Sequence, residues 1–453
     1  MSTKLSLKRT KILATIGPAT DEYDMMDAII QAGANGVRLN MSHGTHEAHA
    51  KVIANARHIS DKLGKPVSVL VDLQGPKIRL GALPNDGLAL REGSEVSFIL
   101  ADTYDDGGPI PIQYDLSKYV KVGDPLFLRD GMVQVLITSK KGKTLIGRVL
   151  NSGVVFSRQG INLPETDFGG EILTSKDIED LKFGVIQGAD YIALSFVQAA
   201  SDITNLRRRI RDLKGDQGII AKIETKAAAE HLEGIVEVAD GVMVARGDLA
   251  VETLPEQVPV VQKRAIESAR EHQKVAIVAT QMLESMITSP QPTRAEVQDV
   301  ATAVAQGADA VMLSGESAVG SYPIETVAMM RRIITYTENH RWQNITAKVF
   351  GEGTQANAIS AAAIILAQKM KAKFILAETV SGRTVRNLCS FRPEELVIAV
   401  TSKPRVYQRL ALVWGARSYM IKDPTKAAQE IMRLLREEHN VVKGDIVVRA
   451  SGQ

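Results

Sequence analysis

The sequence contains only one cysteine, Cys389, among its 453 residues. A single cysteine cannot form an internal disulfide, so the chain is not a disulfide scaffold and fits a reducing compartment. The sequence also lacks an uninterrupted apolar run of about 18 residues, the length that indicates a membrane-spanning helix. Its first residues, MSTKLSLKRTK, include no apolar segment of the kind that signal peptides carry. We therefore expect a cytoplasmic protein with no membrane partner.

The sequence also has no large excess of positive or negative charge, because it contains 55 lysines and arginines and 52 aspartates and glutamates. So balanced a composition gives no general attraction to nucleic acid, and we expect no nucleic-acid partner. Any site for an anion must therefore be local. With 45% hydrophobic residues, the chain is long enough for two or three domains that each have a core.

Short runs rich in β-branched residues alternate with amphipathic helical stretches in most of the chain. Eight such runs span residues 11–16, 36–40, 67–72, 191–196, 219–224, 241–245, 275–280 and 310–313. Helical periodicity appears between them, for example at residues 23–31, 47–63, 178–187 and 203–213. The pattern predicts an α/β fold with a (β/α)₈ TIM barrel, whose functional groups lie at the carboxyl ends of the strands.

The alternation breaks between about residues 80 and 163. Short β-runs at 95–100, 125–128 and 132–137 are separated there by Asp-Gly turn pairs. This predicts an all-β domain inserted after the third strand, placed to close over the strand ends as a lid. Beyond residue 340 the alternation of helices and strands restarts. We predict a barrel from residues 1–79 and 164–339, a β-barrel lid from 80–163 and an α/β regulatory domain from 340–453.

The most informative residues follow two consecutive runs. In GIIAKIET the alternation of a strand places Lys222 and Glu224 on one face, and in DGVMVARGD the next run leads through Gly247 to Asp248. One ammonium and two carboxylates at adjacent strand ends suit a divalent metal beside a developing oxyanion. The alternative is a buried ion pair without chemistry, although burying such a pair is costly.

Two other strand ends carry cations beside oxygen groups. Arg38 lies in RLNMSHG, and Arg79 follows VDLQGPKI. A guanidinium can fork onto phosphate oxygens, so these segments indicate an anion site. The alternative for Arg38 is an interior salt bridge. Nearby polar and charged residues are Asn40, Ser42, Asp72 and Lys77.

Eight sequence blocks together resemble the pyruvate kinase family. They are TKILATIGPA, RLNMSHG, DLQGPKIRLG, AKIETKAA, MVARGDLAVE, ATQMLESM, PTRAEVQDVA and VMLSGESA. The resemblance covers nearly the whole chain in order. It implies transfer of a phosphoryl group from phosphoenolpyruvate to ADP, which gives pyruvate and ATP in glycolysis, and it implies a homotetramer.

The resemblance also implies roles for the charged residues. Glu224 and Asp248 would hold Mg²⁺ or Mn²⁺, for which hard oxygen ligands are suited. Lys222 would neutralise charge on the phosphoryl group and on the enolate. Arg38 would hold the phosphoryl group, and Arg79 would assist at the phosphates. Such a cluster meets the demands of phosphoryl transfer, which depends on positioning and electrostatics.

The substrate carboxylate is expected at backbone amides of residues 245–248, including Gly247 and Asp248, and at Thr280. The family's threonine at that position also belongs to the relay that protonates the enolate carbon. From the sequence alone, Thr280 could equally cap a helix over residues 281–287. Ser195 and Glu316 match the family's active-site surroundings and could equally support other side chains.

The nucleotide contacts implied by the family are Asn40, His43, Arg79 and Asp130. Asp130 precedes a glycine, and an Asp-Gly pair by itself indicates only a turn. Relatives carry Lys-Lys-Gly where this chain has Arg158-Gln159-Gly160, so the resemblance does not extend to the second lysine's nucleotide contact.

Family members that need potassium coordinate it partly with residues that match Asn40, Ser42, Asp72 and Leu73. This chain has Lys77 where those members have glutamate. An ammonium there supplies the positive charge of potassium and repels a second cation. We expect that K⁺ is not required.

A loop in the C-terminal region resembles the family's site for phosphorylated effectors. It contains Thr379, Ser381, Gly382, Arg383 and Thr384, a set suited to phosphate at a helix start. The alternative is an ordinary Ser/Thr cap. The sequence stops at residue 453, where relatives continue into the rest of a bisphosphate pocket. The expectation is therefore no effector, or a monophosphorylated one such as a sugar monophosphate or AMP.

Two other functions fit parts of this evidence. One is a catalytically silent sensor of phosphorylated metabolites on the same fold. The other is a metal-dependent lyase or aldolase that forms a pyruvate enolate. The survival of Lys222, Glu224 and Asp248 argues against the sensor, and the nucleotide-facing residues argue against the lyase.

Overall fold

The computed structural model describes residues 8–76, 78–129, 131–164, 166, 172–340, 354–422, 427–437 and 441–451. Eight parallel strands close into a barrel, as predicted. They are β1 (Lys11–Thr15), β2 (Gly36–Asn40), β3 (Ser68–Asp72), β12 (Tyr191–Leu194), β13 (Gly218–Ile223), β14 (Gly241–Ala245), β15 (Val275–Ala279) and β16 (Ala310–Leu313). Helices on the outside cover the strands, which explains why the strand sequences are apolar on both faces.

The barrel interior is packed with side chains rather than open. Leu13, Leu70, Ile220, Ile277 and Met312 lie in one buried cluster, each at most 2% exposed. Each is the third residue of its strand, so these side chains fill the middle of the barrel. The polar residues predicted from alternation lie beyond them, at the carboxyl ends of the strands.

The barrel helices begin and end where local capping chemistry allows. They are α1 (Tyr23–Ala32), α2 (His46–Leu63), α3 (Ser175–Ile186), α4 (Ala200–Asp212), α5 (Lys226–Glu230), α6 (Leu232–Val238), α7 (Arg246–Glu252), α8 (Val258–Glu271), α9 (Arg294–Gln306), α10 (Gly315–Ala318) and α11 (Pro323–Asn339). The helix expected at 178–187 starts earlier because Thr174 caps it and Asp177 completes a capping box. The strands expected at 191–196 and 275–280 end early because Phe196 and Thr280 have left-handed backbones, with φ of 56° and 68°.

The residues inserted after β3 form two β-sheets. The strands are β4 (Leu88–Leu90), β5 (Glu95–Leu100), β6 (Ile110–Ile112), β7 (Pro125–Leu128), β8 (Val133–Lys141), β9 (Thr144–Val149), β10 (Gly153–Val155) and β11 (Ile161–Asn162). One sheet has the order β11-β7-β8-β9-β5-β6, and β10 pairs with β4. The two chain connections to the barrel pair with each other, since Leu80 N donates to Gln159 O at 2.9 Å and Ile161 N donates to Ile78 O at 2.9 Å. We call residues 78–80 and 159–161 the connecting ribbon.

The C-terminal part has a four-stranded parallel sheet. Its strands are β17 (Phe374–Glu378), β18 (Leu396–Thr401), β19 (Ala416–Met420) and β20 (Val447–Ser451), and their order in the sheet is β19-β18-β17-β20. Its helices are α12 (Gln355–Lys369), α13 (Arg383–Ser390), α14 (Pro404–Arg409) and α15 (Ala427–Glu437). Among the residues that the structure describes, no helix is both long and apolar enough to cross a membrane.

This C-terminal part covers the amino ends of the barrel strands. Lys11 Nζ donates to Ala416 O at 2.7 Å. Asp309 Oδ2 accepts from Arg392 Nη2 at 2.9 Å, and its Oδ1 accepts from Trp414 N at 3.0 Å. The side chains of Arg392 and Asp309 are only 3% and 5% exposed. A buried, hydrogen-bonded ion pair therefore holds the two parts together at the end opposite the polar strand ends.

Removing one member of this buried pair leaves an uncompensated charge. We expect Asp309→Ala to destabilise the protein by about 3–5 kcal/mol, because Arg392 and the Trp414 amide both lose their acceptor. The measurement is the midpoint of urea unfolding. Glu22→Ala is the control, since its exposed pair with Lys51 should contribute little. An Asp309→Ala midpoint equal to that of Glu22→Ala would contradict the expectation.

Candidate active site

Lys222 and Glu224 lie side by side at the carboxyl end of β13, as the alternation predicts. Lys222 Nζ is 3.1 Å from Glu224 Oε2 and 3.6 Å from Asp72 Oδ1 at the end of β3. Asp248 lies in the first turn of α7, and its charge acts on both Lys222 and Glu224. Two carboxylates thus flank the amine at the barrel mouth, and the charge of a third, Asp248, acts on it.

Burial determines the protonation of this cluster. Glu224 is 0% exposed, and burial raises its pKa, with Asp248 and Asp72 adding to the rise while Lys222 opposes it. For Lys222 burial favours the neutral amine, but the attraction of Asp72 and Glu224 outweighs burial and raises the pKa above its ordinary value. Lys222 is therefore a charged ammonium, held where negative charge can be neutralised.

Arg38 joins the same cluster from β2. Its Nε donates to Asp72 Oδ2 at 2.7 Å, and its Nη1 donates to Thr15 Oγ1 at 3.1 Å. The salt bridge that was the alternative for Arg38 therefore exists. It does not exclude an anion-binding role, because Asp72 is shared with Lys222 and both cations remain at the mouth of the barrel.

Ser195 contacts the lysine amine. Lys222 Nζ donates to Ser195 Oγ at 2.7 Å, and Ser195 Oγ donates to Leu73 O at 2.7 Å. Ser195 is only 1% exposed. These two hydrogen bonds fix the direction of the Lys222 side chain. Ser195 is therefore a residue that orients Lys222. Glu316 has a similar supporting position, because it accepts from the amides of Leu283 and Ser314.

Thr280 does not cap a helix, so the alternative that the sequence left open for it, a cap of a helix over residues 281–287, is excluded. Thr280 and Gln281 both have left-handed backbones, with φ of 68° and 54°, and only a short 3₁₀ helix, Glu284–Ile287, follows. Strained backbone of this kind is often found at functional sites. The Thr280 hydroxyl instead accepts from Gly247 N at 2.9 Å and donates to Ala279 O at 2.6 Å.

Arg246 is a residue of the site that the sequence analysis missed. Its Nη1 donates to Asp299 Oδ1 at 2.7 Å, and its Nη2 donates to Thr280 O at 2.5 Å. The guanidinium thereby fixes the start of α7 against the strained loop. An arginine next to the apolar run of β14 was the available signal, since such a residue is buried only when it is paired.

A cavity of about 320 Å³ lies between the barrel and the inserted domain. Its lining includes Asp248 on the barrel side and three arginines, Arg79, Arg129 and Arg158. Arg129 and Arg158 have left-handed backbones, with φ of 50° and 64°. Arg129 was not among the predicted site residues. A carboxylate at one side and guanidinium groups at the other suit a metal-bound polyphosphate.

Of the other residues expected to contact the nucleotide, the structure describes Asn40 and His43. Asn40 Oδ1 accepts from Ser42 N at 3.2 Å, which orders the loop after β2. His43 is exposed, and its backbone oxygen binds His49 Nε2 at 2.8 Å. Asp130 and Lys77 lie outside the described residues.

Comparison with known proteins agrees with this geometry. The family model described as "Pyruvate kinase, barrel domain" matches residues 7–327, and "Pyruvate kinase, alpha/beta domain" matches residues 357–453. The chain belongs to the pyruvate kinase family.

Curated pyruvate kinases of several bacteria are similar over most of the chain. A pyruvate kinase of Mycobacterium tuberculosis is 39% identical over 98% of this chain and 95% of its own length. One from Agrobacterium vitis is 41% identical over 92% of this chain and 88% of its own length. The crystal structure of a pyruvate kinase from Cryptosporidium parvum has a TM-score of 0.91, with 32% identity, and covers 98% of this chain and 94% of that one. The chain is therefore a phosphotransferase of this family.

Pyruvate kinases generally use Mg²⁺, and the carboxylates of this site fit such an ion. Glu224 Oε1 accepts from Phe196 N at 2.8 Å, whereas the buried Glu224 Oε2 lies 3.1 Å from Lys222 Nζ and accepts no hydrogen bond of good geometry among the described residues. An anionic oxygen with unused acceptor capacity is a suitable ligand for a hard dication. Within the described ranges no group of three or more His, Cys, Asp or Glu forms a metal cluster. Two carboxylates are nevertheless enough, because Mg²⁺ keeps several water or substrate ligands.

The loop that the sequence predicts for an effector phosphate lies in the C-terminal part, after β17. Thr379 Oγ1 accepts from Gly382 N at 2.8 Å, and Gly382 has φ of 80° just before α13 begins at Arg383. Thr379 therefore stabilises the loop that precedes α13 and does not cap the first turn of that helix. Ser381 and Arg383 are exposed, and Thr384 is half-buried.

Metal binding can be measured without turnover. We expect Glu224→Gln to weaken Mn²⁺ binding about 10- to 100-fold, because the variant loses a buried anionic ligand. Electron paramagnetic resonance titration of free Mn²⁺ measures this affinity. The control is Glu284→Gln, which removes an exposed carboxylate whose charged neighbours are Glu316 and Glu296 rather than Asp248. Equal Mn²⁺ affinity in the two variants would show that Glu224 is not a ligand.

Proposed function

We propose that this protein transfers the phosphoryl group of phosphoenolpyruvate to ADP, giving pyruvate and ATP, at the mouth of its barrel. The observation that carries the proposal is the cluster in which Lys222 lies within 3.6 Å of both Glu224 and Asp72, with Arg38 bound to the same Asp72. This arrangement supplies fixed positive charge beside a place for a dication.

Arg38 and Lys222 would act on the phosphoryl group. Phosphoryl transfer spreads negative charge over the moving oxygens, and enzymes accelerate it mainly by positioning and electrostatic stabilisation. Arg38 is already oriented by Asp72 and Thr15, and Lys222 is oriented by Ser195. Neither side chain needs to reorganise when charge develops. The lysine would also stabilise the enolate oxygen left after transfer.

Glu224 and Asp248 would hold the divalent cation, Mg²⁺ or Mn²⁺. When bound, the ion supplies positive charge to the oxygens of the substrate and of the phosphoryl group. The acidic residues themselves need this partner, since burial alone makes an unpaired anionic Glu224 unfavourable.

Thr280 and Gly247 would receive the substrate carboxylate. The Gly247 amide donates to the Thr280 hydroxyl at 2.9 Å and that hydroxyl donates to Ala279 O at 2.6 Å, so the substrate carboxylate would replace these two acceptors at the start of α7. The amino end of a helix favours an anion. A threonine hydroxyl is a weak acid, so Thr280 acts in enolate protonation by holding a proton-relaying water.

The nucleotide would bind in the cavity between barrel and inserted domain and would extend to Asn40 and His43, which lie outside the cavity lining. Arg79 would bind the polyphosphate, and Arg129 and Arg158 add positive charge where this chain lacks the second lysine of its relatives. We further propose that the inserted domain, residues 80–163, closes over the barrel of residues 1–79 and 164–339. Asp130, in that domain, would contact the nucleotide.

We also propose that this protein shares its oligomeric state, its cellular location and its regulation with the family. Helix α12 exposes Ile359, Ile365, Leu366 and Met370, each about half exposed. A second copy of the chain in a homotetramer would cover this apolar surface. The loop from Thr379 to Thr384 would bind a phosphorylated effector with a single phosphate group, and the enzyme would work in the cytoplasm. Residues 340–453 would form this regulatory domain.

The central test is turnover of phosphoenolpyruvate and ADP in a coupled assay of pyruvate formation. We expect Lys222→Met to lower kcat about 100- to 1000-fold, the loss typical of removing one transition-state donor. Lys263→Met, which removes an exposed lysine of α8, should leave kcat unchanged. Pyruvate formation without ADP would indicate a lyase, and absence of turnover in the wild type would indicate a sensor.

Independence from potassium is a separate expectation. In tetramethylammonium buffer the wild type should have nearly its full rate, because the ammonium of Lys77 replaces the monovalent cation. The variant Lys77→Glu should instead require K⁺, with activation of about tenfold or more, which corresponds to roughly 1.4 kcal/mol. Rates with and without potassium chloride measure this. Tenfold activation of the wild type would refute the assignment to Lys77.

A further inference from the structure

Helix α7 contacts both the metal-binding region and the inserted domain. Its first turn carries Asp248, and its last residue is Glu252, which is only 6% exposed. Beside Glu252, Val251 lies close to Gly131 of the inserted domain, since a Cβ on Gly131 would be 3.5 Å from Val251 Cγ1. The phosphoryl-transfer mechanism described above gives Glu252 no role.

Glu252 is bound by residues at the end of the inserted domain. Its Oε1 accepts from Asn162 Nδ2 at 3.0 Å, and the backbone of Leu163 provides another hydrogen bond. Asn162 is 8% exposed and lies in β11, where it pairs with Phe127 of β7. One carboxylate therefore connects the barrel to the main sheet of the inserted domain.

This contact is costly to maintain, which argues that it is more than packing. Burial raises the pKa of Glu252 to about 7, and the nearby charges of Asp248 and Glu224 add to the rise. An apolar residue of similar size would fill the same space without this cost. Hydrogen bonds to a carboxylate are directional, so the residue favours one orientation of its partner strand.

The connecting ribbon transmits this orientation to the cavity. Ile161 precedes Asn162 and is bonded to Ile78, so both chain connections move with β11. Arg79 lies in one strand of the ribbon, and its Nη1 donates to Arg158 O at 2.9 Å next to the other. Both arginines line the cavity that Asp248 also lines.

We propose that Glu252 is a positioning residue that ties β11 to α7 and so fixes the spacing between Asp248 and the cavity arginines. The proposal rests on the proposed function, because it assigns the cavity to the nucleotide polyphosphate. Glu252 touches neither the substrate nor the metal in this proposal. It acts through Asn162, the ribbon and Arg79.

The test combines steady-state kinetics with hydrogen exchange. Glu252→Ala should raise the KM for ADP about tenfold and leave the KM for phosphoenolpyruvate within about twofold, because the cavity arginines lose their fixed position. Glu252→Gln should restore most of the ADP affinity, since its amide oxygen still accepts from Asn162. Asn162→Ala should reproduce the defect without changing the barrel, and the double variant should be no worse than either single variant.

Hydrogen exchange measures the same connection without turnover. The amides of Leu80 and Ile161 should exchange about tenfold faster in Glu252→Ala and in Asn162→Ala than in the wild type. Asn151→Ala is the control, because the two hydrogen bonds of Asn151, to Gln134 N and Met132 O, both lie inside the inserted domain. This variant should leave exchange of the ribbon and the KM for ADP unchanged.

The outcomes separate this proposal from the proposed function. Equal rises in both KM values, additive effects in the double variant, or unchanged exchange of the ribbon amides would overturn the role of Glu252. A wild-type protein without turnover would instead overturn the proposed function. In that case hydrogen exchange would still decide whether Glu252 anchors the ribbon.

Discussion

The balance of buried charge around Lys222 is the constraint on which the site depends. One ammonium is held between Asp72 and Glu224, and Arg38 shares Asp72. None of these groups would be stable alone at that depth, because each would have to be desolvated without a partner. Their mutual attraction fixes the cluster in the absence of ligand, so the positive charges are already in place before the substrate arrives.

The cluster is nevertheless short of positive charge. Asp72, Glu224 and Asp248 carry three potential negative charges, whereas Lys222 and Arg38 supply two positive ones. The raised pKa of Glu224 is the physical sign of this shortage, because burial and the neighbouring carboxylates both disfavour its anion. A dication removes the shortage. Under the proposed function, metal binding and substrate binding would then be coupled through charge, since a phosphorylated anion adds the negative charge that the metal offsets.

Much of the fold could be predicted because the barrel strands repeat one simple signal. The alternation of apolar runs and helices gave eight strands, and three of them, at 36–40, 241–245 and 310–313, match the observed bounds. The pairing of Lys222 with Glu224 follows from alternation within β13. These features are local, so a single sequence carries them.

Other features depend on contacts between distant parts of the chain, and no local pattern reveals them. The hydroxyl of Thr280 binds the amide of Gly247 rather than a following helix, because the left-handed backbone at Thr280 turns the chain away from helical geometry. Arg246 can be buried because Asp299, 53 residues later in the chain, accepts a hydrogen bond from its guanidinium. Arg129 and Glu252 join the site only because the inserted domain folds back onto α7. From the sequence a helix cap at Thr280 was equally open, and only the folded chain excludes it.

The two ends of the barrel are held in different ways, and this difference suits the proposed reaction. At the amino ends, Arg392 and Asp309 form a pair that is almost fully buried, and backbone bonds to Ala416 and Trp414 reinforce it. At the carboxyl ends the inserted domain is joined through a two-stranded ribbon and the contact between Asn162 and Glu252. The two-stranded ribbon can bend at small cost while Asn162 stays bonded to Glu252, whereas the pair of Arg392 and Asp309 cannot open without leaving a buried charge unpaired. Motion that admits and releases a nucleotide is therefore expected at the end that carries Asp248, and the base of the barrel provides the fixed frame against which it occurs.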